Sequence, residues 1–176
     1  MLAHSPAQRV PHDRGTSNRE SYLSSYRALA ACTREFARLA EDVVHGVAAL
    51  RADGVEEKPD VRLTPGRCIV QLGPVAVTLT WLRSTLDTAA DGELLVIVWR
   101  GTVAPHPSVV PERREQAGAL QPATALWEEV FAAAAASEAG WSWRPTDADI
   151  GGYSSVELAA RAVERLRLAY LDAHAA

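Results

Sequence analysis

The chain has 176 residues, of which 48% are hydrophobic and 23% are charged. These are ordinary values for a globular protein, so they exclude a fibrous chain and a chain that is disordered throughout. The length suits a single hydrophobic core. The formal net charge of −4 argues against generic nucleic-acid binding, because a protein that binds a phosphate backbone usually carries a basic excess.

The cysteines, the start of the chain and the basic residues bear on location and origin. Cys32 and Cys68 fall in predicted core segments, where we expect buried free thiols, as in the reducing cytoplasm. No apolar run approaches the roughly 20 residues of a membrane span, and the first residues lack the apolar stretch of a signal peptide. Lys58 is the only lysine and alanine is abundant, which is typical of a GC-rich bacterial genome. We therefore expect a cytoplasmic bacterial protein.

The N-terminal segment differs from the rest of the chain. Residues 1–18 contain Pro6, Pro11 and Gly15 and have no apolar periodicity, so we expect a flexible arm. Its arginines and histidines make it locally basic, and it is the segment most suited to weak nucleic-acid binding. A solvated terminus is the simpler explanation. Residues 19–176 are predicted to form one domain.

A long amphipathic helix is predicted after the arm. Ser17 and Glu20 have the spacing of a capping box, and Asp53-Gly54 supplies a stop. Apolar residues recur between them at steps of three and four, which places them in one stripe. The stripe contains Tyr22, Tyr26, Leu29, Thr33, Phe36, Ala40, Val43, Val47 and Leu50. It could be a coiled-coil seam, but Thr33 and Ala40 favour packing across a sheet.

Three antiparallel strands are predicted next. They cover residues 61–63, 67–72 and 75–81 and are separated by Pro65-Gly66 and Gly73-Pro74, which are typical turn dipeptides. The third strand alternates apolar and polar side chains, as expected for a strand with one buried face.

The fourth predicted strand, over residues 94–99, is apolar on both faces, so both faces need cover. One cover can be the first helix. The other must be the C-terminal helices or a second copy of the protein. The two faces carry Leu95, Ile97 and Trp99 on one side and Leu94, Val96 and Val98 on the other. We interpret Leu94, Val96 and Val98 as a possible interface.

The C-terminal part is predicted to contain two helices and an edge strand. Alanine is abundant over residues 122–140, which favours a helix. Its inward side chains would be Leu126, Val130 and Phe131. Residues 141–145 alternate like a short edge strand, and Ser154 with Glu157 repeats the capping-box spacing before a final helix.

These elements predict an α+β fold. Its antiparallel sheet would have four, possibly five, strands packed against a long N-terminal helix, with two C-terminal helices. No internal repeat is evident in the sequence.

No catalytic, cofactor-binding or metal-binding residue is predicted. The sequence has neither a G-x-S-x-G elbow nor a plausible Ser-His-Asp arrangement. His106 lies near Glu112 and Glu115 but without a recognised ligand spacing. Asp147 and Asp149 lack the other oxygen ligands that a calcium loop requires.

The tryptophans are the most suggestive feature. There are five, against two phenylalanines, and a buried indole needs a partner for its N–H group. If they line a concavity with arginines at its rim, the protein could bind a flat or anionic ligand; ordinary core packing is the alternative. The possible pocket residues are Trp81, Trp99, Arg100, Trp127, Trp141, Trp143 and Arg144.

Together these features favour a non-enzymatic interaction protein, such as an adaptor, chaperone or accessory subunit. It would act through its sheet face or its long first helix, as a homodimer or with another protein. A small-molecule-binding protein or enzyme with a tryptophan-lined pocket is the alternative, and it requires Trp99 and Trp143 to face a common cavity. Weak nucleic-acid binding through residues 1–18 is the third hypothesis. No cofactor and no membrane partner are expected.

Overall fold

The structure is a computed structural model that describes residues 21–83, 88–103, 122–135, 137–147 and 151–175. Within these ranges a helical turn at residues 21–23 and a long α-helix precede six β-strands, and another long α-helix follows them. The elements are α1 (Tyr26–Ala49), β1 (Asp60–Thr64), β2 (Arg67–Leu72), β3 (Val75–Leu82), β4 (Glu93–Arg100), β5 (Thr124–Ala134), β6 (Ser142–Pro145) and α2 (Ser155–Ala175). No helix within the described ranges is long and apolar enough to cross a bilayer.

The six strands form one antiparallel sheet in which each strand pairs with its neighbours in the sequence. The connections from β1 to β2 and from β2 to β3 are two-residue turns, the shortest loops that join antiparallel strands. Gly66 and Gly73 occupy them with φ of 77° and 52°, a left-handed conformation that glycine adopts without steric cost. The first four predicted strands are confirmed, and the fold is α+β, as expected.

The first helix is confirmed, with a later start than the sequence indicated. α1 begins at Tyr26 because the Ser25 hydroxyl accepts a hydrogen bond of 3.2 Å from the backbone N–H of Ala28. The predicted capping box of Ser17 and Glu20 lies outside the described residues, as does the predicted arm. At its other end α1 continues into a 3-10 turn, and Gly54 follows with φ of 93°, which is the expected left-handed stop.

Both helices pack on the same face of the sheet, which we call the helix face. Alternate residues of the strands, such as Val77 and Leu79 on β3, join one buried cluster with the apolar side chains of both helices. The stripe of α1 lies in this cluster through Phe36, Val43 and Val47. From Phe36 onward the stripe therefore packs within its own chain, as the second of the two interpretations predicted. Its N-terminal half is wrong, since Tyr26 is 86% exposed and Thr33 is exposed. The buried residues there are Ala28, Ala31 and Cys32.

The two helices contact each other and run in the same direction. Near the start of α2, the Ser155 hydroxyl donates a hydrogen bond of 2.8 Å to Glu35 of α1. Further along, a Cβ atom at Gly46 would lie 2.8 Å from Cγ2 of Val163. Because both contacts advance along both helices, the helices are parallel in sense. The absent side chain at Gly46 lets their backbones approach closely.

The predicted helix over residues 122–140 is wrong, because this segment contains β5. Phe131 pairs with Leu94, and Val130 pairs with Leu95. Alanine-rich sequence favours a helix, but by less than about 1 kcal/mol per residue. Without a strand at this edge, β4 would leave a buried row of N–H and C=O groups unpaired, which costs more. The described sheet thus has six strands, and one helix follows it instead of two.

The elements that cover the two faces of β4 also differ from the expectation, because both helices pack on the same face. Leu94, Val96 and Val98 lie on the helix face and are each at most 1% exposed. The chain's own helices therefore cover the three residues that were interpreted as a possible interface. Leu95 and Trp99 lie on the opposite face, where no described helix packs.

Three further predictions are confirmed. Residues 141–145 contain β6, the last strand of the sheet. The capping box forms, since the backbone N–H of Ser154 donates to Glu157 at 2.8 Å and that of Glu157 donates to the Ser154 hydroxyl at 3.3 Å. Cys32 and Cys68 are both buried and free.

The buried thiols predict a pH dependence of stability. Burial raises the pKa of Cys32 to about 12 and that of Cys68 to about 11, from a usual value of 9.0. Folding therefore favours the protonated thiols. Their contribution to stability is complete below about pH 9 and is lost as the pH rises toward about 11 to 12.

We expect the free energy of unfolding to fall as the pH rises above about 9, and to fall more steeply than in a Cys32→Ala/Cys68→Ala double variant. Urea titrations at a series of pH values measure both slopes. The double variant is the control for tyrosine and lysine titration, and equal slopes in the two proteins would contradict the expectation.

Candidate functional site

No described helix covers the face of the sheet opposite α1 and α2. We call it the open face. The strand register places rows of side chains across it: Arg62, Ile69, Thr78, Ile97 and Glu128 form one row, and Arg67, Thr80, Leu95 and Val130 form the next. Its centre is therefore apolar. Charged side chains surround the centre, and these are Asp60, Arg62, Arg67, Glu93, Glu128 and Arg144.

Trp99 is held rigidly on the open face. Its indole Nε1 donates a hydrogen bond of 3.0 Å to the hydroxyl of Thr78 on the neighbouring strand. Ala76 lies directly across from Trp99, and its small side chain leaves room for the indole. Trp99 stays partly accessible, whereas Thr78 and Ala76 beside it are buried. A large aromatic ring is thus presented in one orientation.

Gln71 stabilises the end of the open face next to Trp99. Its side-chain Nε2 lies 2.8 Å from the carbonyl oxygen of Gly73, 3.0 Å from that of Val75 and 3.2 Å from that of Gly101. Its Oε1 accepts a hydrogen bond of 3.2 Å from the backbone N–H of Val103. One carboxamide therefore connects the turn between β2 and β3 to the segment that leaves β4.

Three of the five predicted pocket tryptophans lie together, but they fill the core. Trp143 contacts Trp81 on one side and Trp141 on the other, with ring centroids 5.8 Å apart in edge-to-face contacts. Trp143 is completely buried. A Cβ atom at Gly92 would lie 2.1 Å from the Trp81 ring, so the glycine makes space for it. Trp99 lies on the opposite face, so Trp99 and Trp143 do not share a cavity.

Trp127 lies apart from these three rings. It is on the helix face of β5, where the guanidinium groups of Arg161 and Arg165 lie 5.6 Å and 5.7 Å from its ring centroid, within the range of cation–π contacts. Arg161 also donates to Glu129 at 3.0 Å. The guanidinium groups of two arginines of the same chain therefore lie over the Trp127 ring.

The two predicted arginines are not brought to the tryptophan cluster. Arg100 ends β4 and pairs with Asp172 near the end of α2. Arg144 is exposed on β6, across from Ala132 on the open face. Among the predicted pocket residues, Trp141 lines a cavity in the part of the chain that the structure describes.

That cavity is a cleft of about 270 Å³ between α1, the 3-10 turn before β6 and the start of α2. Its lining residues are Glu35, Arg38, Glu138, Ala139, Trp141, Ser154, Ser155 and Val156. Sequence reasoning missed the charged members. Glu35 and Arg38 are three apart on α1, and this spacing places them on one side of the helix, but nothing in the sequence showed that this side faces α2.

A chain of hydrogen bonds forms the floor of the cleft. The indole N–H of Trp143 donates to the Ser155 hydroxyl at 3.1 Å, and that hydroxyl donates to Glu35 at 2.8 Å. Ser155 is 4% exposed. The indole N–H of Trp141, in contrast, is buried and has no hydrogen-bond partner among the described residues. Trp141 thus lines the cleft together with charged side chains, and within the described chain its own N–H group is buried and unpaired.

Glu157 in the first turn of α2 is held in its charged form. Its carboxylate accepts hydrogen bonds of 2.8 Å from both the backbone N–H and the hydroxyl of Ser154. These bonds lower the pKa of Glu157. The carboxylate is therefore engaged in capping α2.

The described residues contain no metal-ligand group and no thiol with a lowered pKa. None of them form a group of three His, Cys, Asp or Glu side chains that could hold a metal ion. The raised pKa of both thiols makes them poor nucleophiles at neutral pH. His106, Glu112, Glu115 and Asp149 lie outside the described ranges, and Asp147 is exposed.

Comparison with known proteins adds no assignment, since the chain matches no protein-family model, no curated protein and no solved structure.

The hydrogen-bond chain predicts a stability effect at Ser155. Ser155→Ala leaves the buried N–H of Trp143 without an acceptor and removes a partner of Glu35. We expect a loss of about 1 to 3 kcal/mol in the free energy of unfolding, measured by urea titration. Ser137→Ala makes the same change at an exposed serine with no side-chain capping bond and should cost much less. Equal effects of the two substitutions would contradict this role.

Proposed function

We propose that the protein is a non-enzymatic interaction protein, an adaptor, chaperone or accessory subunit, that binds a protein partner through the open face of its sheet. The observation that carries this proposal is an apolar sheet face with a charged border that no described helix covers. The partner surface would be apolar at its centre and charged around it.

The composition of the open face resembles that of known protein interfaces. Such interfaces have an apolar centre that is rich in aromatic residues and a polar rim. Trp99 and Leu95 supply accessible apolar area near the centre, and Arg62, Glu93 and Arg144 lie around it. Large aromatic anchors contribute most of the binding energy in many complexes.

The rigidity of this face supports the same proposal. The hydrogen bond from Trp99 to Thr78 holds the indole in one orientation before a partner arrives. An immobilised side chain loses little conformational entropy on binding, whereas a rotamer-rich one loses about 0.5 to 1.5 kcal/mol. The neighbouring Ile69 and Ile97 are only 7% and 8% exposed, so the accessible apolar area at the centre of the face comes from Leu95 and Trp99.

The open face is a better candidate than α1, the other surface that the sequence favoured. The apolar stripe of α1 is used within the chain, where Phe36, Val43 and Val47 are buried against the sheet and α2. A partner helix could reach this stripe only by displacing α2. The outer side of α1 is largely charged and exposed.

Substitutions on the two layers of the fold test this proposal. A native partner is first identified by co-purification with the tagged full-length chain, and its affinity for purified variants is then measured by calorimetry. Leu95→Arg places a charge on the open face and should weaken binding at least about tenfold. Leu168→Arg makes the same change at an exposed leucine of α2 and should leave the affinity unchanged.

The reverse result, with loss of binding in Leu168→Arg alone, would assign the partner to the helical layer and refute the proposal. Circular dichroism and thermal unfolding of both variants distinguish a lost contact from a lost fold. Trp99→Phe is a milder second variant, because it keeps an aromatic ring and removes the hydrogen bond to Thr78.

Small-molecule binding in the cleft is a second candidate, favoured by Trp141, which lines the cleft with Arg38 and whose buried N–H has no partner among the described residues. A ligand with a hydrogen-bond acceptor would satisfy this buried donor. Its binding should change tryptophan fluorescence in the intact protein and in Trp99→Phe. Trp141→Phe removes the donor and should abolish the response. A response that depends on Trp99 instead would exclude the cleft.

A further inference from the structure

The two edges of the sheet are not equivalent. At the β6 edge, Trp143 exchanges two backbone hydrogen bonds of 2.7 Å and 2.8 Å with Tyr153, so the outer side of β6 is partly paired. At the β1 edge, no described residue pairs with the outer side of the strand. Four of the five residues of β1 are exposed, including Leu63, which is 55% exposed. β1 is therefore the accessible edge.

The direction of the backbone groups of β1 follows from its turn. A two-residue turn closes on a hydrogen-bonded pair, here Thr64 and Arg67, and hydrogen-bonded pairs then alternate along an antiparallel ladder. The backbone N–H and C=O groups of Arg62 and Asp60 consequently point toward β2 and form hydrogen bonds with it. Val61 and Leu63 direct theirs outward, where they are available to another strand.

We propose that a second copy of this chain pairs with β1 in antiparallel orientation, with the two Val61 residues directly opposite each other. The sheets of the two copies would then form one continuous sheet, and their open faces would lie on the same side. This inference goes beyond the proposed function, because it rests on the β1 edge and not on the open face.

The charges of β1 favour this register. Asp60 and Arg62 lie on the same face, and within one chain their side chains already form an ion pair of 2.9 Å. In a pair centred on Val61, each Asp60 lies directly across from Arg62 of the second copy. A pair centred on Arg62 would instead place two arginines opposite each other, which is destabilising. The strand is therefore complementary to itself in one register.

The prolines that flank β1 limit the length of the new ladder, and its two-fold symmetry limits the assembly to two copies. In this register the N–H and C=O of Val61 bond across the two-fold axis, and the N–H of Leu63 reaches the carbonyl of Pro59. Pro59 and Pro65 have no N–H to extend the ladder. The side chain of Leu63 lies across from Pro59 of the second copy, which covers an exposed apolar group. Since the β1 edge of each copy pairs with the β1 edge of the other, the assembly closes as a dimer.

Charge reversal tests this register in the full-length chain. Sedimentation equilibrium up to high micromolar concentration should show a concentration-dependent dimer. Asp60→Arg and Arg62→Asp each place like charges opposite each other and should raise the dissociation constant about tenfold or more. The double variant Asp60→Arg/Arg62→Asp restores opposite charges and should return the dissociation constant to within about threefold of the original.

A mixing experiment separates this interface from a folding defect. The two single variants carry complementary charges on β1, so an equimolar mixture should form a heterodimer although each variant alone stays monomeric. A mixture of Glu41→Arg and Arg51→Asp, which moves the same charge changes to exposed positions at α1 and the turn after it, should gain nothing relative to its separate components.

Several outcomes would overturn the proposal. These are a monomer at every concentration, a dimer that both single variants leave unchanged, and a mixture of the single variants that stays monomeric. The open-face variant Leu95→Arg should not affect the dimer. If it abolishes the dimer while the β1 variants do not, self-association occurs through the open face, and the β1 inference fails while the proposed function stands.

Discussion

The packing of both helices on one face of the sheet is the constraint on which the rest of this structure depends. α1 and α2 lie side by side, close enough that a Cβ atom at Gly46 would meet Val163. Together they bury the helix-face residues of β2, β3 and β4 in one cluster. The hydrophobic free energy of folding therefore comes mainly from one side of the sheet. The other side has no described helix over it, and the proposed interface uses this asymmetry.

Polar contacts tie the layers together at a few buried points. The hydrogen bonds from Trp143 to Ser155 and from Ser155 to Glu35 join β6, the start of α2 and the middle of α1. On the open face, the bond from Trp99 to Thr78 does the same for two strands. Buried donors are costly when unpaired, so these contacts specify one arrangement. The unpaired N–H of Trp141 is an exception, and it lies at the cleft.

The limits of sequence-based prediction are clearest in two segments. β3 was predictable because its alternation and the Gly73-Pro74 turn are local signals. β5 was not, since an alanine-rich sequence carries a weak local preference for a helix and becomes a strand only through its ladder with β4. The tryptophans show the same limit. Their number was evident, but the register of the sheet separates Trp99 from Trp143.

The sequence by itself determined the elements whose signals are local: the stripe of α1 from Phe36 onward, the turns at Gly66 and Gly73, and the capping box of Ser154 and Glu157. These depend on backbone conformation and periodicity within a few residues of each other. Only the tertiary structure decided that both helices share one face and that Glu35 meets Ser155. Such choices depend on contacts between residues far apart in the chain, and amphipathic patterns specify that a face is buried without specifying which element buries it.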